Sequence, residues 1–186
     1  MCFAQRKNPN AQNYTNEGDS GINTIPLLSN DANLNRQLAD IQPSHDGGVY
    51  YYPCQVELKN GSILENVYFV ETQGYLRHWG VLPGDDKNKQ ALSINDITVI
   101  KESPNRLPAH LANKLYKAGE SGMGYCLFKI IYDNGTELDV LAGNAVDFVP
   151  SPDGLNTTNI IDVLPHHGSR EIFARTPKYY WCLYEA

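Results

Sequence analysis

The chain has 186 residues, of which 15 are Lys or Arg and 21 are Asp or Glu, so its formal net charge is −6. Hydrophobic residues make up 41% and charged residues 19%, a balance typical of a folded globular protein. No apolar run is long enough for a membrane-spanning helix, and the first residues lack the apolar core of a secretory signal. The acidic charge argues against nucleic acid as a partner, because the few cations would have to cluster on one face. We therefore expect a soluble, cytoplasmic protein that does not enter a membrane.

The N-terminal quarter of the chain differs from the rest in composition. Residues 1–48 are rich in Asn, Gln, Ser and Asp and poor in aromatic side chains, so they bury little apolar surface. One short helical turn is predicted inside this segment, capped by Ser29-Asn30-Asp31 and carrying Leu34, Leu38 and Ile41 on one face. Gly47-Gly48 marks the boundary. The sequence predicts a polar N-terminal arm over 1–48 and a β-rich body over 49–186.

Two β-hairpins are predicted in the body by the same dipeptide. Asn60-Gly61 and Asn134-Gly135 each lie between short runs of alternating apolar and polar residues. Asn-Gly favours a type I′ turn, in which both central residues have positive φ. A polar loop and a short closing strand follow each hairpin, over 91–100 and 159–165.

The repeated order of elements divides the body into two sub-units, 49–104 and 120–186. A helix predicted near 109–118 joins them. The joining segment is 108–119, in which Pro108 suits the first helical turn and Gly119 the C-terminal cap. The repetition indicates an internal duplication. The alternative is that any two hairpin units look alike.

The first sub-unit resembles a small five-stranded barrel of the Sm-like or SH3-like kind. The resemblance rests on Val56–Ser62, the long strand after it and Leu92–Ile97. It implies architecture alone, since the RNA-binding loop residues of Sm proteins are not evident. The predicted fold is mainly β with one short helix, as two related small β-barrel or hairpin units packed together.

The remaining strand and the cysteines add two expectations. The aromatic segment 178–184 predicts a last strand that completes a sheet. Cys54, Cys126 and Cys182 lie far apart among apolar residues, without a CxxC pair, and are expected in the core as free thiols.

The glycine-rich string 119–125 is the most unusual segment. It fits neither a nucleophile elbow nor a phosphate-binding loop, because it follows a helix and lacks the required residues. One interpretation is a helix end that bends into the next strand. The other is a loop that contacts a ligand or partner through Glu120, Ser121, Met123 and Tyr125.

Other polar residues are possible members of a site. Asn144 and Asp147 can bond the local backbone in a turn or serve as polar groups at a site. His166 and His167 are ordinary loop residues or, alternatively, contribute a metal ligand or one histidine that acts as a general acid or base. Adjacent side chains on a strand face opposite sides, so we predict neither a metal nor a cofactor.

Arg77, His78 and Trp79 stand together beside a polar loop. Trp and Arg dominate the energetics of protein interfaces, so this group is a candidate binding surface. A place in the strand core is the other interpretation of Trp79.

These observations favour a binding protein without catalytic activity. Acidic charge, abundant aromatic residues and no assembled catalytic motif suit recognition of another, basic protein, as in inhibitors, immunity proteins and defence antagonists. The alternative is a small-ligand-binding or hydrolytic protein with a cleft between the two β units, formed by 120–125 with Asn144, Asp147 and His166 or His167.

Overall fold

The computed structural model describes residues 31–185, which form nine strands and three α-helices. The first thirty residues of the predicted polar arm lie outside this range. In chain order the elements are α1 (Ala32–Ala39), β1 (Ser44–Asp46), β2 (Val49–Leu58), β3 (Ile63–Glu71), α2 (Thr72–Trp79), β4 (Ile97–Glu102), α3 (Ala109–Ala118), β5 (Cys126–Tyr132), β6 (Glu137–Ala142), β7 (Ile160–Pro165), β8 (Ala174–Arg175) and β9 (Tyr180–Tyr184).

The strands form two sheets. The first has the order β1-β2-β3-β9, with β4 paired to the second half of β2, and the second has the order β7-β5-β6-β8. A mainly β fold is thus confirmed. The two predicted barrels are wrong, because each sheet ends in a short strand that pairs parallel to a hairpin strand and does not close the sheet on itself.

The two sheets have a similar arrangement around their hairpins. In each, the closing strand pairs antiparallel with the first hairpin strand, and a later strand pairs parallel with the second. A short 3-10 turn precedes each closing strand, at Ile94–Asp96 and Thr157–Asn159. Any two sheets built around a hairpin can share this order, so the duplication stays a prediction.

Both predicted hairpins form, with a turn of another type. The Gly61 N–H donates to Leu58 O at 2.8 Å, and the Leu58 N–H donates to Ser62 O at 2.8 Å. Tyr132 and Gly135 repeat the pattern in the second hairpin. The glycines have positive φ and the asparagines before them do not, which makes each loop a three-residue turn with a glycine bulge. The type I′ prediction is therefore wrong.

The structure has three short helices, where the sequence predicts a helical turn in the arm and a single helix in the body. Helix α1 has the predicted Asp31 cap and buries Leu34 and Leu38 against the first sheet, each contributing about 1.5–3 kcal/mol. Helix α3 has the predicted bounds and ends at Gly119, with φ of 78°. Helix α2 lies where a strand was expected for Trp79; the Glu71 side chain caps its first turn.

The first sheet is buried on both faces, which explains its continuous apolar runs. One face packs against α1, and the other packs against α2 and the chain around Phe148. The second face is aromatic: Tyr68 and Trp181 stack at 4.8 Å between ring centroids. The second sheet packs one face against α3. No helix within residues 31–185 is long and apolar enough to cross a membrane.

Candidate binding cleft

A buried polar network joins the two halves of the body. Asp147, in the segment after β6, is fully buried and accepts hydrogen bonds from Ser44 on β1 and from Tyr116 on α3, the latter at 2.5 Å. Its backbone N–H donates to the Tyr68 hydroxyl at 3.0 Å. Burial raises the pKa of Asp147, and the hydrogen bonds from Ser44 and Tyr116 oppose that rise.

Arg106 extends this network toward the surface. Its guanidinium is buried and donates to Gln42 O at 2.6 Å and to Glu102 Oε1 at 2.9 Å, and it lies 3.5 Å from Ser44 Oγ. These contacts tie the network to β4 and to the chain before β1. The structure therefore places Asp147 in the junction of the two sheets and not on the wall of a cleft.

A small cleft opens near the C-terminal end of α3, between the two halves of the body. Its volume is about 120 Å³. It is lined by Asp46, His78, Leu115, Tyr116, Gly119, Glu120, Cys126 and Asn144. The structure thus brings three of the predicted residues, His78, Glu120 and Asn144, to one cavity.

The cleft contains two carboxylates. Asp46 pairs with His78, with 3.2 Å between Oδ2 and Nε2. Burial raises the pKa of Asp46; the His78 ring opposes that rise, and repulsion from Glu120 adds to it. The raised pKa reflects mainly the removal of the Asp46 carboxylate from water.

An unpaired acceptor lies beside these carboxylates. Asn144 Nδ2 donates to Glu120 Oε1 at 2.7 Å, whereas the buried Asn144 Oδ1 accepts no hydrogen bond from residues 31–185. The Gly124 N–H donates to Glu120 Oε2 at 2.9 Å, which holds Glu120 at the rim. The cleft therefore offers acceptors and suits a cationic donor.

The glycine-rich loop forms one wall of the cleft. Ser121 Oγ lies 2.9 Å from His166 Nδ1, and it accepts a hydrogen bond from the Leu127 N–H at 2.9 Å. The loop tip exposes Met123, at 97% of its surface. Tyr125 packs closely over the loop backbone at Gly122. This loop is both the predicted bend into β5 and an exposed surface.

Arg77, His78 and Trp79, the predicted group, lie on α2 with their side chains in different surroundings. Arg77 points to solvent, with 72% of its side chain exposed, and His78 faces the cleft. Trp79 is half-buried in the aromatic cluster, where its indole N–H donates to the Tyr51 hydroxyl at 3.3 Å. The three residues therefore do not form one patch.

His166 and His167 also differ in their contacts. His166 bonds Ser121 and lies 3.2 Å from Ala118 O through Nε2, whereas His167 is exposed. Within residues 31–185 no group of three or more His, Cys, Asp or Glu side chains is placed to hold a metal ion.

Sequence reasoning missed Asp46, Cys126 and Tyr116 as members of the cleft. Asp46 stands directly before Gly47-Gly48, a two-residue hairpin loop between β1 and β2 that could have been recognised. Cys126 and Tyr116 carry no local signal, since only the packing of α3 beside β5 brings them together.

Comparisons with protein-family models, curated proteins and solved structures found no match to this chain.

Proposed function

We propose that this protein binds another, basic protein and that a Lys or Arg side chain of the partner enters the cleft beside α3. The observation that carries the proposal is the set of acceptors there: the carboxylates of Asp46 and Glu120 and the unpaired Asn144 Oδ1. A lysine ammonium has three donors and no acceptor, so it complements this set.

The size of the cleft favours a side chain over a free metabolite. Sites for small molecules usually enclose roughly 300–1,000 Å³. The cleft measures about 120 Å³, enough for the end of one side chain. The rest of the binding energy must then come from the surface around it.

That surface has the composition of a protein interface. Met123 and Ile172 are exposed at 97% and 81%, on two loops that contact each other. The contacts are the Ser121–His166 hydrogen bond and the Arg170 guanidinium at 5.9 Å from the Tyr125 ring. Met, Tyr and Arg are enriched in interfaces, and the loop that carries Met123 and Tyr125 also carries Glu120 of the cleft.

The net charge of −6 supports a basic partner, because it accelerates the encounter and disfavours acidic competitors. A protein that covers the basic surface of its partner also blocks that surface. The activity that follows is that of an inhibitor, immunity protein or defence antagonist, without catalysis by this chain.

Affinity capture from the native cell tests the proposal, read by quantitative mass spectrometry at low ionic strength. The baits are the wild type, Glu120→Gln and Met123→Asp. We expect one basic protein in stoichiometric yield with the wild type, and a loss of at least about tenfold in each variant.

Glu57→Gln is the matched control, since it removes the same charge from an exposed position on β2 outside the cleft. It should retain the partner fully. Absence of any stoichiometric partner, or equal capture by all four baits, would contradict the proposal.

A second candidate function uses the same cleft for small-ligand binding or hydrolysis. The observation in its favour is the 2.9 Å contact between Ser121 Oγ and His166 Nδ1. An Nε2–H directed at Ala118 O would leave Nδ1 as an acceptor, which competes for the serine proton with Leu127 O, 3.1 Å from Ser121 Oγ. Turnover of simple activated esters that disappears in Ser121→Ala would favour this candidate, and no turnover of any ester would exclude hydrolysis.

A further inference from the structure

A second cavity shares no lining residue with the cleft. Its volume is about 390 Å³. It is lined by Lys87, Lys89, Lys178, Tyr179 and Trp181, with Asn88, Gln90, Thr176 and Pro177. Among the described residues 31–185, those that line the cavity include no acidic side chain, although the chain as a whole carries a net negative charge.

Lys89 is the most enclosed of the three lysines. Its side chain is 14% exposed, its Nζ donates to the Tyr75 hydroxyl at 2.9 Å, and it lies 3.9 Å from the Trp79 ring centroid. The one carboxylate paired with it is Asp86, at 3.7 Å. Three ammonium groups against one carboxylate leave an excess of positive charge at the cavity.

Trp181 supplies a second, independent observation. It is 1% exposed, and its indole N–H has no hydrogen-bond acceptor among residues 31–185. A buried donor without an acceptor costs about 1–3 kcal/mol, so native structures rarely leave one unpaired. This donor belongs to a residue that lines the same cavity as the lysines.

The two walls of the cavity are held in place by main-chain hydrogen bonds. The Trp181 N–H donates to Gln90 O, and the Leu92 N–H donates to Trp181 O, each at 2.8 Å. The wall that contains Trp181 is also fixed where Asn66 Nδ2 donates to Lys178 O at 3.2 Å. Walls fixed in this way lose little entropy on binding.

From the excess charge, the unpaired donor and the fixed walls, we infer that this cavity binds a phosphate group, as the free ion or as part of a phosphomonoester. The ammonium groups of Lys87 and Lys178 are donors on exposed side chains, and a phosphate dianion is an acceptor of matching charge; the unpaired indole N–H of Trp181 is buried within a residue of the same wall. This site is independent of the cleft and of the protein partner proposed above.

NMR of the indole N–H signals tests the inference directly, because the chain has 2 Trp residues. The Trp79 indole N–H already donates to Tyr51, and Trp79→Phe assigns the two signals. On titration with inorganic phosphate we expect a saturable shift of the Trp181 signal and a smaller shift of the Trp79 signal, since the Trp79 ring lies 3.9 Å from Lys89 Nζ. Lys178→Gln and Lys87→Gln should each weaken binding about threefold to fivefold.

The controls separate a site from a salt effect. Lys101→Gln removes an exposed lysine of β4 outside the cavity and should bind phosphate like the wild type. No saturable shift with tens of millimolar phosphate would overturn the inference. So would an equal shift with chloride at the same ionic strength, or equal affinity in all three lysine variants.

O-phosphoserine, titrated in the same way, distinguishes the two sources of the phosphate group. Binding at least as tight as that of inorganic phosphate assigns the site to a phosphomonoester. Binding of inorganic phosphate alone assigns it to the free ion. Either result supports a phosphate site.

Discussion

Ser44 on β1 donates a hydrogen bond to the buried carboxylate of Asp147, 103 positions further along the chain. The bond joins the first strand of the described chain to the segment that follows the second hairpin. Tyr116 donates to the other carboxylate oxygen from α3. Asp147 thus connects both sheets and the helix between them. The stability of this junction should therefore depend on the charge and the geometry of the Asp147 side chain.

Asp147→Asn is expected to lower the free energy of unfolding by about 2–3 kcal/mol. The carboxylate accepts from Ser44 and Tyr116 with separate oxygens, whereas an amide turns one of those positions into a donor. Urea denaturation followed by circular dichroism measures the loss. Asp153→Asn, at an exposed position, is the control and should stay within about 0.5 kcal/mol of the wild type. Equal stability of the two variants would show that the network contributes nothing.

The destabilisation caused by Asp147→Asn should depend on pH. Burial raises the pKa of Asp147 in the folded protein, so its carboxyl binds a proton more tightly there than in the unfolded chain. The stability that this group contributes is then lost as the pH rises from 3.8, the ordinary pKa of an Asp side chain, through the raised pKa of Asp147. The stability difference between wild type and variant should shrink as the pH rises above about 4. A difference that grows over this range would mean that the folded protein lowers the pKa.

The buried thiols should resist alkylation in the native protein. Burial raises the pKa of Cys126 to about 11 and that of Cys182 to about 12, and the pKa of Cys54 is also raised. Because the thiolate is the nucleophile, iodoacetamide at about pH 8 should modify these cysteines at least about a hundredfold more slowly than in denaturant. Mass spectrometry of the cysteine peptides measures the rates, with glutathione as the free-thiol standard. Rapid labelling of Cys182 would contradict its place in the core.

The two hairpin turns should depend on their glycines. Gly61 and Gly135 have φ of 81° and 83°, and an added Cβ would meet no atom within 4 Å at either position. Substitution by Ala therefore costs backbone strain without a clash, about 1 kcal/mol at each site. Gly84→Ala is the control, with equal space and no left-handed backbone. Thermal unfolding measures all three variants, and a similar loss in the control would refute the φ argument.

Elements defined by neighbouring residues could be predicted from the sequence. The Asn-Gly dipeptides placed both hairpins, and Gly119 placed the end of α3, because a turn or a cap depends on a few adjacent residues. Helix α2 has only a weak local signal, because Glu71 is a rarer capping residue and Trp79 also suits a strand core. The three buried cysteines were correctly placed because their apolar neighbours are visible in the sequence.

The sites, in contrast, depend on contacts between distant segments. Local patterns suggested His78, Glu120 and Asn144 one by one, and only the packing of α2 and α3 against the sheets brings them into one cleft. In the same way, parallel pairing of β9 with β3 buries Trp181 beside the lysine cavity. The sequence by itself determined the local turns, caps and apolar runs, since these are set by short-range sterics and hydrogen bonding. Tertiary structure decided which polar groups are buried, paired or left open, because burial and long-range pairing are properties of the whole packed chain.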